Sequence, residues 1–185
     1  MMQKKWFLVI SFISLAASSQ AQEKYYTKNA NINFYSSAPL EDLEAFHKSS
    51  VFVLDAKTGS LQFSVLIKGF EFENKEMQEH FNENYLESDK FPISEFKGQV
   101  SNNASIQYNK PGTYPVVVKG QLTIHGVTKA VLAKGVLKVA SGNLQASSTF
   151  NIQLADYGIT IPSLVSDKIA KTVKITVDAK LNSLN

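Results

Sequence analysis

The sequence predicts a single all-β domain, an eight-stranded antiparallel barrel with one helix at its opening. Apolar and polar residues alternate with a period of two in most of the chain, which is typical of antiparallel strands with one buried face. Turn sequences such as Asn109-Lys110-Pro111-Gly112 and Ser141-Gly142-Asn143 separate these segments and predict consecutive hairpins. With eight strands a closed barrel can be filled by side chains or can hold one small ligand.

The strands follow one another along most of the chain. The clearest alternation is near the C-terminus, where Val173, Ile175, Val177, Ala179 and Leu181 are separated by polar residues. Similar patterns predict strands over residues 29–35, 50–55, 60–70, 93–102, 113–124, 127–140, 143–155 and 171–182.

Residues 74–85 break the alternation and predict the helix. Asn74 suits an N-cap, and Met77, Phe81 and Tyr85 recur every four residues on one face. That apolar face needs an apolar surface to cover, and the mouth of the barrel is the simplest one.

Residues 39–48 also depart from the strand pattern. They allow a second, short helix with Leu40, Leu43 and either Phe46 or His47 on one side.

The first 21 residues predict a cleaved signal peptide. Lys4 and Lys5 precede an apolar run, and Ser19 and Ala21 occupy the small-residue positions of a cleavage site. The run is shorter than the roughly 20 apolar residues that a membrane span requires. We therefore expect a domain over residues 22–185 that is periplasmic or secreted and has no membrane span.

The composition argues against several functional classes. The 19 lysines nearly balance the 16 acidic residues, without a basic cluster, which disfavours nucleic-acid binding. The chain has no cysteine and no arginine, so it has neither a thiolate nor a bidentate fork for phosphate. Its three histidines lack the spacing of metal ligands, and it has no nucleophile or phosphate-loop motif. We expect no catalytic residue, metal site or cofactor, and therefore no enzyme.

Three stretches in order resemble motifs of the YceI-like family. They are residues 80–97 (HFNENYLESDKFPISEFK), 120–129 (GQLTIHGVTK) and 150–159 (FNIQLADYGI), within an alignable part over about 61–181. The resemblance implies an exported, lipocalin-like barrel that binds amphipathic lipids, such as polyisoprenoids or isoprenoid quinones, in an apolar tunnel. It also implies that a homodimer is common. Leu154 stands where the family pattern has arginine, and residues 25–56 carry an insertion-like acidic segment where the family usually opens directly into a first hairpin.

Eight residues are candidates for ligand contact. Phe34, Phe63, Phe96 and Phe150 lie on strands, Met77, Phe81 and Tyr85 lie on the helix, and Tyr157 lies in the third motif. Apolar interior residues look alike whether they fill a core or line a tunnel, so both interpretations stay open. The preferred function is non-catalytic binding, transport or sequestration of an apolar lipid of isoprenoid type. The alternative is an envelope module with a filled core that binds a protein partner through residues 25–56.

Overall fold

The computed structural model describes residues 24–140, 143–163 and 167–184, so the expected signal peptide lies outside the described residues. The predicted closed eight-stranded antiparallel barrel is confirmed, and a ninth, two-residue strand is added to it. The strands are β1 (Lys24–Ser37), β2 (Asp42–Asp55), β3 (Ser60–Leu66), β4 (Glu71–Phe72), β5 (Ile93–Val100), β6 (Gly112–Ile124), β7 (Val127–Ala140), β8 (Asn143–Gln153) and β9 (Thr172–Leu184).

The strand order closes the barrel. Neighbours run β1-β9-β8-β7-β6-β5-β3-β2, and β1 also pairs with β2. The short β4 extends the sheet beside the start of β2, where Phe72 pairs with Ala45. Closure matters for function because every long strand turns one face to a shared interior.

The short helix expected at residues 39–48 is wrong. This segment is the start of β2, paired with β1 from Asp42 opposite Ser37. Leu43, Ala45 and His47 turn inward, while the residues between them are exposed. Pairing with β1 supplies the backbone hydrogen bonds that a short isolated helix would have to make within itself. It also makes β2 much longer than the expected 50–55.

The helix predicted at residues 74–85 is confirmed. Helix α1 (Lys75–His80) continues into a π-helical turn (Phe81–Tyr85), and together we call them the helical segment. Asn74 caps the helix, because its Oδ1 accepts hydrogen bonds from the backbone N–H groups of Glu76 at 2.9 Å and Met77 at 3.3 Å. In the part of the chain that the structure covers, every helix is too short or too polar to cross a membrane.

The two ends of the barrel are covered differently. The helical segment follows β4 and lies over one end, which we call the helix end. At the opposite end, the connection between β5 and β6 packs inward through Ile106 and Tyr108. The Tyr108 hydroxyl donates to Asn103 Oδ1 at 2.7 Å, and Asn103 Nδ2 donates to the carbonyl oxygen of Ala56 at 2.9 Å. Burial, with smaller effects from Tyr25 and Asp55, raises the pKa of Tyr108 to about 12.

The packed part of the core lies around three leucines and a group of aromatic rings. Leu54, Leu144 and Leu181 are almost completely buried. At the helix end, the rings of Phe34, Phe70, Phe72 and Phe81 form an aromatic cluster with centroid separations from 5.0 to 5.7 Å. Leu54 and the rings of Phe34, Phe70 and Phe81 also border the remaining space in the interior.

Candidate ligand-binding cavity

The barrel contains a cavity of about 230 Å³. Its wall combines inward-facing residues of the long strands with residues of the helical segment, and it is almost entirely aliphatic and aromatic. Along β6 the wall extends from Val116 to Ile124, which at about 3.3 Å per residue is roughly 26 Å of strand. The cavity is therefore elongated along the barrel.

Small inward-facing residues create the space on one side of the barrel. Ala133 and Gly135 on β7 and Ala146 on β8 line the cavity. On β5 and β6, Gly98 and Gly120 face each other in register, and the Phe96 ring lies against their backbone. A Cβ at Gly98 or Gly120 would lie only 2.7 or 2.5 Å from that ring. At these two glycines the Phe96 ring covers the backbone and forms the cavity wall.

The helical segment forms the wall at its end of the barrel. Met77, Phe81 and Tyr85 all line the cavity, as the spacing of the stripe predicts. Phe81 is only 8% exposed because it also belongs to the aromatic cluster, whereas Met77 and Tyr85 are half-buried. Burial raises the pKa of the Tyr85 phenol, and its hydroxyl is a hydrogen-bond donor at neutral pH with or without that shift.

The structure brings together most of the predicted contact residues. Seven of the eight line the cavity: Phe34, Phe63, Met77, Phe81, Tyr85, Phe96 and Phe150. Tyr157 is buried elsewhere, in a short 3-10 helix (Leu154–Tyr157). Burial, with a smaller effect from Asp156, raises the pKa of its phenol. Contact of any of these residues with a ligand stays a prediction.

Other lining residues were missed by the sequence reasoning. Leu43 lay in a segment interpreted as a helix, and Ile161 and Ile169 lie in the irregular connection before β9. The alternation of Leu43, Ala45 and His47 was the only available signal for the first of these. No periodic pattern identifies the other two.

His125 holds the helical segment to the barrel, although it does not line the cavity. It stands in the β6–β7 turn with φ of 51°. Its Nε2 is 2.7 Å from Glu87 Oε2, just beyond the helical segment, and its Nδ1 is 3.3 Å from the carbonyl oxygen of Tyr157. The Phe91 ring packs edge-on against the imidazole at 4.7 Å. Three separate segments therefore meet at one side chain, which we call the His125 junction.

His47 supports the wall from behind. It is 3% exposed, and its Nδ1 accepts a hydrogen bond from Ser49 N–H at 3.2 Å and lies 2.9 Å from Ser50 Oγ. Burial lowers the pKa of His47, with weaker opposing effects from the Leu66 backbone and Glu71. Its ring packs against Phe70, which lines the cavity, at 5.5 Å. Within residues 24–140, 143–163 and 167–184, no three histidine or acidic side chains come close enough to hold a metal ion.

The YceI-like domain family matches residues 26–181. The chain belongs to this family. The matched range begins at residue 26 and so takes in β1 and β2, the two paired strands that residues 25–56 form. The expected alignable part, 61–181, was therefore too short.

Solved structures share the fold of this YceI-like domain. A polyisoprenoid binding domain from Saccharophagus degradans, implicated in plant cell wall breakdown, superposes with a TM-score of 0.77 at 14% identity, over 89% of this chain and 100% of its own. BcnA of Burkholderia cenocepacia gives 0.66 at 16% identity, over 82% and 95%. A YceI protein of Campylobacter jejuni gives 0.57 at 19% identity, over 74% and 81%. No curated protein sequence gives a significant match.

Proposed function

We propose that this YceI-like protein binds an apolar lipid of isoprenoid type in the barrel cavity and carries or sequesters it without chemical change. The observation that carries the proposal is the elongated cavity of about 230 Å³ with an almost wholly apolar wall. A filled core, which the protein-partner alternative requires, would leave no such space. The polyisoprenoid binding domain of Saccharophagus degradans has the same fold, which supports an isoprenoid chain as the first ligand to test.

Burial of the chain would provide the affinity. Apolar surface gains roughly 25 cal/mol for each Å² removed from water, so a lipid tail that buries several hundred Å² gains several kcal/mol. Loss of translational and conformational freedom then reduces the net affinity. Carrying a lipid requires no reacting polar or charged group in the cavity wall, whereas catalysis does. The almost wholly apolar wall therefore favours a carrier over an enzyme.

A matched pair of variants on β7 tests the site. Ala133 faces the cavity, whereas Ala130 is exposed on the outer surface of the same strand. Ala133→Leu should occupy part of the cavity and weaken binding of a fluorescent isoprenoid analogue by at least about tenfold, or ~1.4 kcal/mol. Ala130→Leu should leave binding unchanged.

Melting by far-UV circular dichroism checks that both variants fold. Equal affinity of the two folded variants would place the ligand outside the cavity and contradict the proposal. Native mass spectrometry with organic extraction of the purified protein adds a direct search for a bound lipid. The same spectrum gives the oligomeric state, for which we propose a homodimer.

We also propose that the protein is exported and processed after Ala21, on the strength of Lys4, Lys5 and the apolar run that follows them. Intact-mass analysis after expression in the native host tests this. A mature mass that retains Trp6, the only tryptophan of the chain, would contradict both processing and the periplasmic or secreted location.

A further inference from the structure

We infer that the cavity selects its ligand by charge: it accepts a chain with an uncharged end and excludes the same chain ending in a phosphate or another anion. This inference rests on the proposed function, since it concerns the class of lipid that the same cavity takes. It is carried by where the lysines lie and by the polar groups in the cavity wall.

The cationic side chains of the barrel point away from the cavity. The chain has no arginine. Strands β5 to β9 carry lysines only at exposed positions: Lys97, Lys119, Lys129, Lys134, Lys138, Lys174 and Lys180. Among the residues that the structure describes, none of the lysines lines the cavity. An anion inside would therefore have no positive partner.

The serine and acidic residues of the lining are Ser36, Ser94, Ser147, Ser148 and Glu95, and none of them supplies a positive charge. Ser148 Oγ donates to the carbonyl oxygen of Lys134 at 2.8 Å. Ser36 Oγ accepts from the backbone N–H of Ala170 at 2.9 Å. Glu95, also in the lining, is itself acidic and contacts Lys97 on the outer side. A phosphate in the cavity would lose its hydration without gaining a charged partner, which is strongly unfavourable.

The surface at the helix end of the barrel also disfavours an anionic headgroup. Three segments border this end: 38–44, the helical region at 73–85, and 167–171, where the carbonyl oxygen of Asp167 accepts from Leu40 N–H. Together they contain eight exposed carboxylates and three exposed lysines: Glu41, Asp42, Glu44, Glu73, Glu76, Glu79, Glu83, Asp167, Lys75, Lys168 and Lys171. Charges interact over about 10 Å at 0.1 M salt, so a headgroup held at this rim would be repelled.

A neutral oxygen fits the same end better. Tyr85 lines the cavity, and its hydroxyl can donate to a ligand hydroxyl or carbonyl oxygen. Such a group is far less costly to desolvate than an ion. The ligand class is therefore a long apolar chain with a hydroxyl, carbonyl or similar uncharged end.

Three ligands with the same chain test the inference: farnesol, farnesyl diphosphate and farnesylamine. Each is titrated against the purified full chain by displacement of the neutral dye Nile red. Farnesol should bind at least about tenfold more tightly than farnesyl diphosphate. Farnesylamine is also charged and water-soluble, and it should bind more tightly than the diphosphate because its charge is attracted by the rim.

The possible outcomes separate the inference from the proposed function. Diphosphate affinity equal to or higher than that of farnesol would overturn the inference and leave lipid binding intact. If farnesylamine binds no better than farnesyl diphosphate, the advantage of farnesol reflects its lower solubility in water and not the sign of the charge. That result would also overturn the inference. Absence of binding by all three would overturn the proposed function itself.

Two arginine variants with the same added charge sharpen the test. Leu154 lines the cavity and is half-buried, whereas the neighbouring Gln153 is exposed. Leu154→Arg should raise the affinity for farnesyl diphosphate by about tenfold or more over Gln153→Arg, because a guanidinium forms paired hydrogen bonds with phosphate. Equal effects of the two variants would contradict a cavity-based selection. The three-ligand comparison on the unmodified chain stands even where an arginine variant does not fold.

Discussion

Strand β9 crosses both the packed and the hollow part of the barrel, so truncations along this one strand should differ in cost. Leu181 is completely buried, lies opposite the equally buried Leu144, and does not line the cavity. Ile175 also faces inward, between Phe34 and Phe150, but it lines the cavity. Its side chain therefore lacks packing partners on one side.

The difference can be estimated from the response of cores to truncation. Replacing a buried leucine or isoleucine by alanine costs about 2 to 5 kcal/mol, of which about 24 cal/mol arises for each Å³ of new cavity. Leu181→Ala opens a new void in packed surroundings, so we expect about 3 to 5 kcal/mol. Ile175→Ala enlarges an existing void and loses fewer contacts, so we expect about 2 kcal/mol. Thr176 is on the opposite face, and Thr176→Ala should cost about 0.5 kcal/mol or less.

Urea melts of delipidated protein, followed by far-UV circular dichroism, measure these costs. Lipid must be removed because a ligand that binds only the folded state raises its stability. Equal m-values would show that the variants share one unfolding transition. An Ile175→Ala cost equal to that of Leu181→Ala would refute the hollow interior, and a larger cost for Thr176→Ala would refute the assigned strand faces.

Three further predictions concern the histidines and the helix cap. Because burial lowers the pKa of His47 below 6.5, the unfolded chain takes up a proton first as the pH falls, and stability should decline below about pH 6.5. His47→Gln should flatten that decline in pH-dependent urea melts, whereas replacing the exposed His80 should not, and equal slopes for the two variants would contradict the assignment. A double-mutant cycle of Glu87→Gln and His125→Gln, measured as free energies of unfolding, should give a coupling energy of about 1 kcal/mol, since the pair is partly buried. Additive effects of the two substitutions would show that the Glu87–His125 contact does not contribute to stability. Asn74→Ala should cost about 1 kcal/mol through loss of the N-cap, measured by thermal melting, and an unchanged melting temperature would disprove its capping role.

The strands could be predicted from sequence because burial of one face produces alternation, and β9 follows that pattern almost residue by residue. The start of β2 could not, because Leu40, Leu43 and Phe46 also fit a helical spacing. Phe46 faces outward and is 43% exposed. This one apolar residue on the outer face of β2 made the spacing look helical and hid the alternation of a strand. Local spacing cannot distinguish these cases, and the decisive information is the pairing with β1, which is a long-range contact.

The residues of the candidate site could be predicted from the sequence, but the space between their side chains could not. The inward aromatic residues follow from the strand faces, and the helical stripe follows from its spacing. Whether they fill the interior depends on the summed volumes of all facing side chains and on the barrel radius, which no local pattern contains. The His125 junction was equally hidden, because Glu87 and His125 are 38 positions apart in the chain.

At two inward-facing glycines the neighbouring backbone leaves no room for a larger side chain. At Gly135 an added Cβ would lie 2.5 Å from the carbonyl oxygen of Ser147 on the neighbouring strand, and at Gly120 it would collide with the carbonyl oxygen of Lys97. These positions cannot be filled by substitution without moving a strand, and movement of a strand would break the hydrogen bonds that close the barrel. At the helix end, Phe34, Phe70 and Phe81 of the aromatic cluster pack against one another and also line the cavity. Ala133 lines the cavity but belongs to neither this cluster nor the three buried leucines, so we expect Ala133→Leu to weaken binding while the barrel remains folded.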